Sequence, residues 1–171
     1  SCHDRSPKPL TQKILDRPRL IARIAQAVGD PERAHISAFA VTPLERRLSV
    51  KLGVPIYGCD PELAHLGGKS GGRALMRAAG VEIPDGEENL CDADDIAQAL
   101  AALKRRQPGL KRALVKINEG FSGDGNAVFG FHGAPERSDL AAWAKARLPH
   151  MKFEAREMTF DAFEAKAKAM G

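Results

Sequence analysis

Aromatic residues are scarce: one Trp, one Tyr and seven Phe occur in 171 residues, so the core has to be built mainly from Leu, Ile, Val and Ala. Cysteine is scarcer still. Cys2, Cys59 and Cys91 are odd in number, far apart and in no C-x-x-C arrangement. That argues against a disulfide scaffold or a structural zinc site, and for free thiols in a reducing compartment. No apolar run is long enough to span a bilayer, and Ser1-Cys2-His3-Asp4-Arg5-Ser6 has none of the apolar stretch of a signal peptide. A cytoplasmic location without membrane contact is the expectation. A strong charge of one sign is also missing: the formal net charge is +4, with Lys and Arg spread among Asp and Glu. The short cluster Lys104-Arg105-Arg106 reads as a solvated helix end, which leaves nucleic acid a minor hypothesis. The five histidines (His3, His35, His65, His132 and His150) show no metal-ligand spacing. Cys59, next to Asp60, has no histidine near in sequence to activate it.

What is present alternates between helical and extended patterns, so the expected fold class is α/β or α+β. Residues 1–13, with Pro7 and Pro9, read as a leading loop. Pro18 opens a helix carrying Leu20, Ile21, Ile24 and Val28 on one face, stopped by Gly29. A strand is expected over His35–Val41. Thr42-Pro43-Leu44-Glu45 has the form of a capping box for a helix that ends near Gly53. A short strand follows at Val54–Tyr57, then a helical turn from Pro61, then a helix from Arg73 with Ser70 as its expected N-cap. Asp92 precedes a longer helix with Ile96, Leu100 and Leu103 inward. Further on, Ala134–Leu148 reads as a helix, Met151–Met158 as a strand, and Thr159 as the cap of a last helix.

The chain is organised around Ala113–Phe131. Ala113, Leu114, Val115 and Ile117 form a nearly continuous apolar run, the pattern of a strand buried on both faces, interrupted by Lys116. Gly120, Gly123 and Gly125 then supply a hairpin loop in which backbone can approach a ligand closely, and Ala127, Val128, Phe129 and Phe131 resume a strand. A cationic strand residue followed by exposed amides is one reading, a polyphosphate clamp. A plain hairpin with a snorkelling lysine is the other. Upstream, Leu63-Ala64-His65-Leu66-Gly67-Gly68-Lys69-Ser70 approaches the G-x-x-x-x-G-K-[ST] phosphate loop, but Leu63 stands where the first glycine belongs and a helical turn intervenes. That reading is rejected. What remains is a lysine at a helix start beside four glycines, a candidate anion site.

Taken together, Lys69 before a helix ending in Ala-Gly-Val-Glu-Ile-Pro, Lys116 in a Val-Lys strand, and the glycine hairpin after it resemble the ATP-grasp ligases over roughly Thr42–Phe131. The phrases T-P-L-E-R, Y-G-C-D-P, L-G-G-K-S-G and V-K-I-N-E-G-F-S-G-D-G-N are similar to those of ATP-grasp peptide ligases of the pheganomycin-ligase type. The resemblance implies a carboxylate–amine ligase that uses ATP and Mg²⁺ through an acyl phosphate, with an amino acid or peptide among its substrates. It implies phosphate contacts from Lys69 and Lys116, and a phosphate-covering loop formed by Glu119, Gly120, Ser122, Gly123, Gly125 and Asn126. It assigns residues 1–58 to the end of a Rossmann-like domain and 59–171 to the first ATP-grasp lobe. The second lobe, which would carry the Mg²⁺ ligands, has no counterpart after Phe131, where Glu154, Glu157, Asp161 and Glu164 fit a solvated face better than a metal cage. The chain is therefore expected to be part of a larger ligase and inactive alone. The alternative is a nucleotide- or anion-binding module without ligase chemistry. Exposed edges leave pairing with a second copy open.

Overall fold

The computed structural model describes residues 4–120, 123, 125–136 and 139–170, in an α+β arrangement of two units that meet in sequence between His65 and Leu66. The first unit holds α1 (Leu10–Leu15), α2 (Pro18–Val28), β1 (Ile36–Ser37), α3 (Pro43–Leu52) and β2 (Ile56–Tyr57). The two strands pair in parallel, Ile36 opposite Ile56. Such a pair needs a crossover, and α3 supplies it. Helix α3 begins as its sequence dictates: the Thr42 hydroxyl accepts from the Leu44 amide, and the Glu45 carboxylate accepts from the Thr42 amide at 2.9 Å. It ends at Gly53, which adopts the left-handed conformation at φ +66°. Leu15, Leu48 and Val54 form the buried residues of this unit.

Two expectations need correction here. The leading segment contains α1 rather than a loop only. Pro7 and Pro9 precede the helix, where a ring without an N–H breaks no helical hydrogen bond. The two strands are also shorter than the apolar patterns suggested, since each pairs over only two residues.

The second unit holds α4 (Ala64–Gly67, beginning at the end of the first unit), α5 (Lys69–Ala78), α6 (Ala93–Arg106), β3 (Arg112–Lys116), β4 (Asn126–Gly130), α7 (Leu140–Arg147), β5 (Lys152–Phe153) and α8 (Phe160–Met170). The sheet order is β3-β4-β5, antiparallel throughout, with Lys116 opposite Asn126, Leu114 opposite Val128, and Val128 opposite Lys152. One face of this sheet is the core. Ala113, Val115 and Ile117 alternate inward from β3 and its extension, and Ala127, Phe129 and Phe131 from β4 and beyond. They pack with Ile96, Ala97 and Leu100 of α6, with Ala144 and Leu148, and with Phe163 of α8. Phe129 meets Phe131 and Trp143 edge-on, at centroid distances of 5.1 and 5.9 Å, a geometry that adds to area burial.

The other face is open, which corrects the expectation of a strand buried on both sides. Leu114 is 60% exposed and Lys116 is exposed. The run Ala-Leu-Val looks two-sided only because Leu114 is itself apolar; period-two burial decides the matter. Two other elements are trimmed. Helix α7 starts at Leu140, because Asp139 caps it by accepting from the Ala141 and Ala142 amides, both at 3.1 Å. Strand β5 is two residues long, with one more backbone bond from the Glu154 amide to the Asn126 carbonyl at 3.0 Å. No helix among the described residues is long and apolar enough to cross a membrane.

The segment between α5 and α6 is held by charge as well as by Leu90, which packs against the core. Arg73 Nε and Arg77 Nη2 both donate to Glu88 Oε1, at 2.5 and 2.7 Å, and Arg73 also donates to the Pro84 carbonyl at 2.9 Å. From the other side Arg106 pairs with Asp85 and Glu87. The Arg73 hydrogen bond holds the Glu88 carboxyl below the usual glutamate range, and Arg106 does the same for Asp85. A carboxyl whose pKa is lower folded than unfolded contributes in full above its unfolded value, and the contribution is lost as pH falls through the folded one. The thermal midpoint of the wild type should therefore fall more steeply between about pH 5 and pH 3 than that of Glu88→Gln. Parallel curves for the two proteins would show that the clasp contributes nothing.

Candidate functional site

The loop after β3 is shaped by what lies beneath it. Ile117 is buried, and its amide donates to the Gly125 carbonyl at 2.8 Å, carrying the hairpin ladder one step past the strand ends. The Gly120 amide turns back to the Ile117 carbonyl at 3.2 Å, and the Asn126 amide to the Gly123 carbonyl at 2.9 Å. The two sides of the loop then touch. A Cβ on Gly125 would stand 2.9 Å from Ile117 Cβ and 3.2 Å from Gly120 Cα, and one on Gly120 would stand 3.1 Å from Gly125 Cα. The neck closes only because neither position carries a side chain. Gly123, at φ +87°, takes a backbone conformation that other residues rarely adopt.

Helix α5 is docked onto the same neck. Its N-cap, Gly68, is buried, and a Cβ there would meet Glu119 Oε1 at 3.0 Å and the Asn118 amide group at 3.1 Å. The Asn118 carbonyl accepts from the Lys69 amide at 3.3 Å, and Asn118 Oδ1 accepts from the Ser70 amide at 2.8 Å. Asn118 thus caps the helix from 48 residues away. Ser70, the N-cap expected from sequence, lies inside the helix, because glycine at the cap position lets the loop approach closely enough to supply the cap. The Lys69 ammonium completes the joint by donating to the Asn118 carbonyl at 3.1 Å and the Gly120 carbonyl at 2.8 Å. An ammonium has three donors, and among the described residues Lys69 uses two of them.

Lys116 sits two residues before Asn118, at the end of β3 on the open face, opposite Asn126. Among the described residues it makes no hydrogen bond or ion pair. The two lysines singled out in the sequence therefore converge on one strand end and its loop: one buttresses the loop, and the other projects from the open face of the strand that leads into it. Glu119, Gly120, Gly123, Gly125 and Asn126 belong to the same loop and its flanks; Ser122 lies outside the described residues. Asn118 was not foreseen. An asparagine after an apolar strand is unremarkable in sequence, and only the fold brings a glycine-capped helix to it. Glu154, expected on a solvated face, is exposed, and its Cγ would lie 3.5 Å from a Cβ on Gly123, so it borders the loop. No group of three or more His, Cys, Asp or Glu that could hold a metal occurs among the described residues.

A sheet with one open face, a cation at the strand end and a pinched glycine loop buttressed by a second cation meet at one end of the second unit. The model of the IQCH-like, ATP-grasp family matches residues 61–157, more than half of the chain, and the chain belongs to that family. It is 27% identical over 116 residues to the L-propargylglycine–L-glutamate ligase of Streptantibioticus cattleyicolor, a match covering 67% of this chain and 24% of the ligase. It is 29% identical over 111 residues to IQ motif-containing protein H of Danio rerio, covering 64% of this chain and 10% of that protein. The chain thus spans a quarter or less of the length of these relatives. No solved structure matches it significantly.

The neck geometry makes a stability prediction. Gly125→Ala forces a methyl into a 2.9 Å contact with Ile117 and should cost about 1–3 kcal/mol. Gly109→Ala, with nothing within 4 Å of the new atom, is the control and should leave the urea midpoint nearly unchanged. Equal midpoints for the two variants would contradict the packed neck.

Proposed function

We propose that this chain is the phosphate-gripping part of an ATP-dependent ligase that joins a carboxylate to an amine, with amino acids or peptides as its substrate class. The observation that carries the reading is the convergence of Lys69, Lys116 and the Gly120–Asn126 loop on one strand end. Residues 59–171 would be the first lobe of the ATP-grasp fold. Residues 1–58 would be the end of a preceding Rossmann-like domain, a reading that the parallel β1–α3–β2 unit supports.

Amide formation from a carboxylate needs one oxygen made into a leaving group, and ATP supplies the phosphoryl group that does this, through an acyl phosphate. The contribution of this chain is positioning and charge. Lys116, whose side chain has no partner among the described residues, offers an ammonium to the phosphate chain at the mouth of the loop. Lys69 holds the loop carbonyls with two of its donors and directs the third at the same anion. The pinched neck at Gly120 and Gly125 fixes where the loop leaves the sheet before substrate arrives. Exclusion of water by such a loop protects an activated acyl group from hydrolysis. The donor set fits a polyphosphate. It does not fit a metal held by protein carboxylates, since the described residues form no such cluster, and protein ligands to Mg²⁺ are assigned to the second lobe.

Calorimetric titration with ATP and magnesium tests this reading. The wild-type chain should bind, and Lys116→Ala should bind at least about tenfold more weakly, the value of one charge-assisted contact of roughly 1.5–3 kcal/mol. Undiminished affinity in Lys116→Ala would remove the lysine from the site. Release of ADP by this chain with any acid and amine would overturn its assignment as an incomplete part of the enzyme.

A further inference from the structure

The open face of the sheet carries a second group of cations at the end away from the glycine loop. A depression of ≈ 270 Å³ there brings together Arg112, His132, Arg147, His150 and Lys152, with Val128, Phe129, Gly130 and Met151 completing its lining. The register explains the grouping. Arg112 pairs with Gly130, which leaves space beside it, and Lys152 pairs with Val128, so both cations border the same gap on one face. The short helical turn Leu148–His150 after α7 brings His150 to the rim, and Arg147 lies 5.0 Å over the Trp143 ring, which supports its guanidinium.

The lining contains no carboxylate. Glu154, two residues beyond Lys152 on the same stretch, sits instead against Gly123 at the loop end. The side chains of Arg112, His132, His150 and Lys152 make no hydrogen bond or ion pair among the described residues, whereas Arg73, Arg77, Arg106 and Lys145 of this unit are each paired with carboxylates. Three fixed positive charges, Arg112, Arg147 and Lys152, border one small concavity and repel one another until an anion enters. The site is separate from the lysine at the loop. Arg112 and Lys116 are four residues apart on one strand, about 13 Å at the usual rise.

We propose that this depression binds a small oligoanion, a molecule bearing two or more phosphate or carboxylate groups on a compact body. The volume suits a molecule of that size rather than a macromolecular surface. The guanidinium of Arg112 offers a fork for one anionic group and Lys152 a point charge for a second, with the histidines donating at the rim.

The test is a pair of NMR titrations at neutral pH, one with inorganic pyrophosphate and one with tricarballylate. The readout is the ring-proton signals of His132 and His150, assigned with His132→Gln and His150→Gln. Saturable shifts of both signals with at least one anion are expected, and the tighter of the two names the phosphate or carboxylate source. The double variant Arg112→Ala/Lys152→Ala should weaken binding by about tenfold or more, and the single variants Arg112→Gln and Lys152→Ala should weaken it in the same direction. Lys116→Ala should leave it unchanged, which separates this site from the one at the glycine loop. Absence of shifts with both anions, shifts that survive loss of both cations, or shifts abolished by Lys116→Ala would each overturn the proposal.

Discussion

The Lys69 ammonium, shared between the carbonyls of Asn118 and Gly120, is the interaction on which the site depends. A charged donor on a neutral carbonyl is among the stronger hydrogen bonds a protein makes. Here two of them end on residues 118 and 120, either side of Glu119. The helix start and the loop neck are thereby one object. Asn118 returns the favour by capping α5 through Ser70, and Gly68 has no side chain because that space belongs to Asn118 and Glu119. Each of these features requires the others: a side chain at residue 68 would move the helix start away, and the ammonium would lose its acceptors.

The sheet beneath turns that local joint into a rigid platform. Its inner face is fixed by Phe129, Phe131 and Trp143 in edge contacts and by α6 and α8. The outer face then presents side chains at a fixed two-residue interval: Arg112, Leu114 and Lys116 along one strand, Asn126 and Val128 along the next. Cations stand at both ends of this face, with the apolar Leu114 and Val128 between them.

Much of the fold could be read from local chemistry. The Thr42–Glu45 box, the Asp92 cap, the Gly53 stop and the Lys116–Asn126 hairpin all rest on residues that interact within a few positions of one another. The site was half legible for the same reason. Lys116 and the glycines that follow it are contiguous, and the ATP-grasp pattern added Lys69. What escaped was non-local. Asn118 serves as a cap for a helix 48 residues earlier, and no spacing rule reaches that far. The open outer face escaped because Leu114 mimics a buried residue, and the cationic depression because Arg112, His132 and Lys152 come from three different segments. The over-long strand expected at Met151–Met158 shows the converse: alternation suggests a strand, but pairing with β4 ends after Phe153 apart from one bond at Glu154.

The central claim is that one anion meets both lysines at the mouth of the glycine loop. A crystal structure of the chain with a non-hydrolysable ATP analogue and magnesium measures this directly. The account predicts phosphate oxygens within hydrogen-bond reach, about 2.7–3.2 Å, of both Lys69 Nζ and Lys116 Nζ. A bound analogue whose phosphates lie beyond that reach of both lysines, at the far end of the sheet or elsewhere, would contradict it.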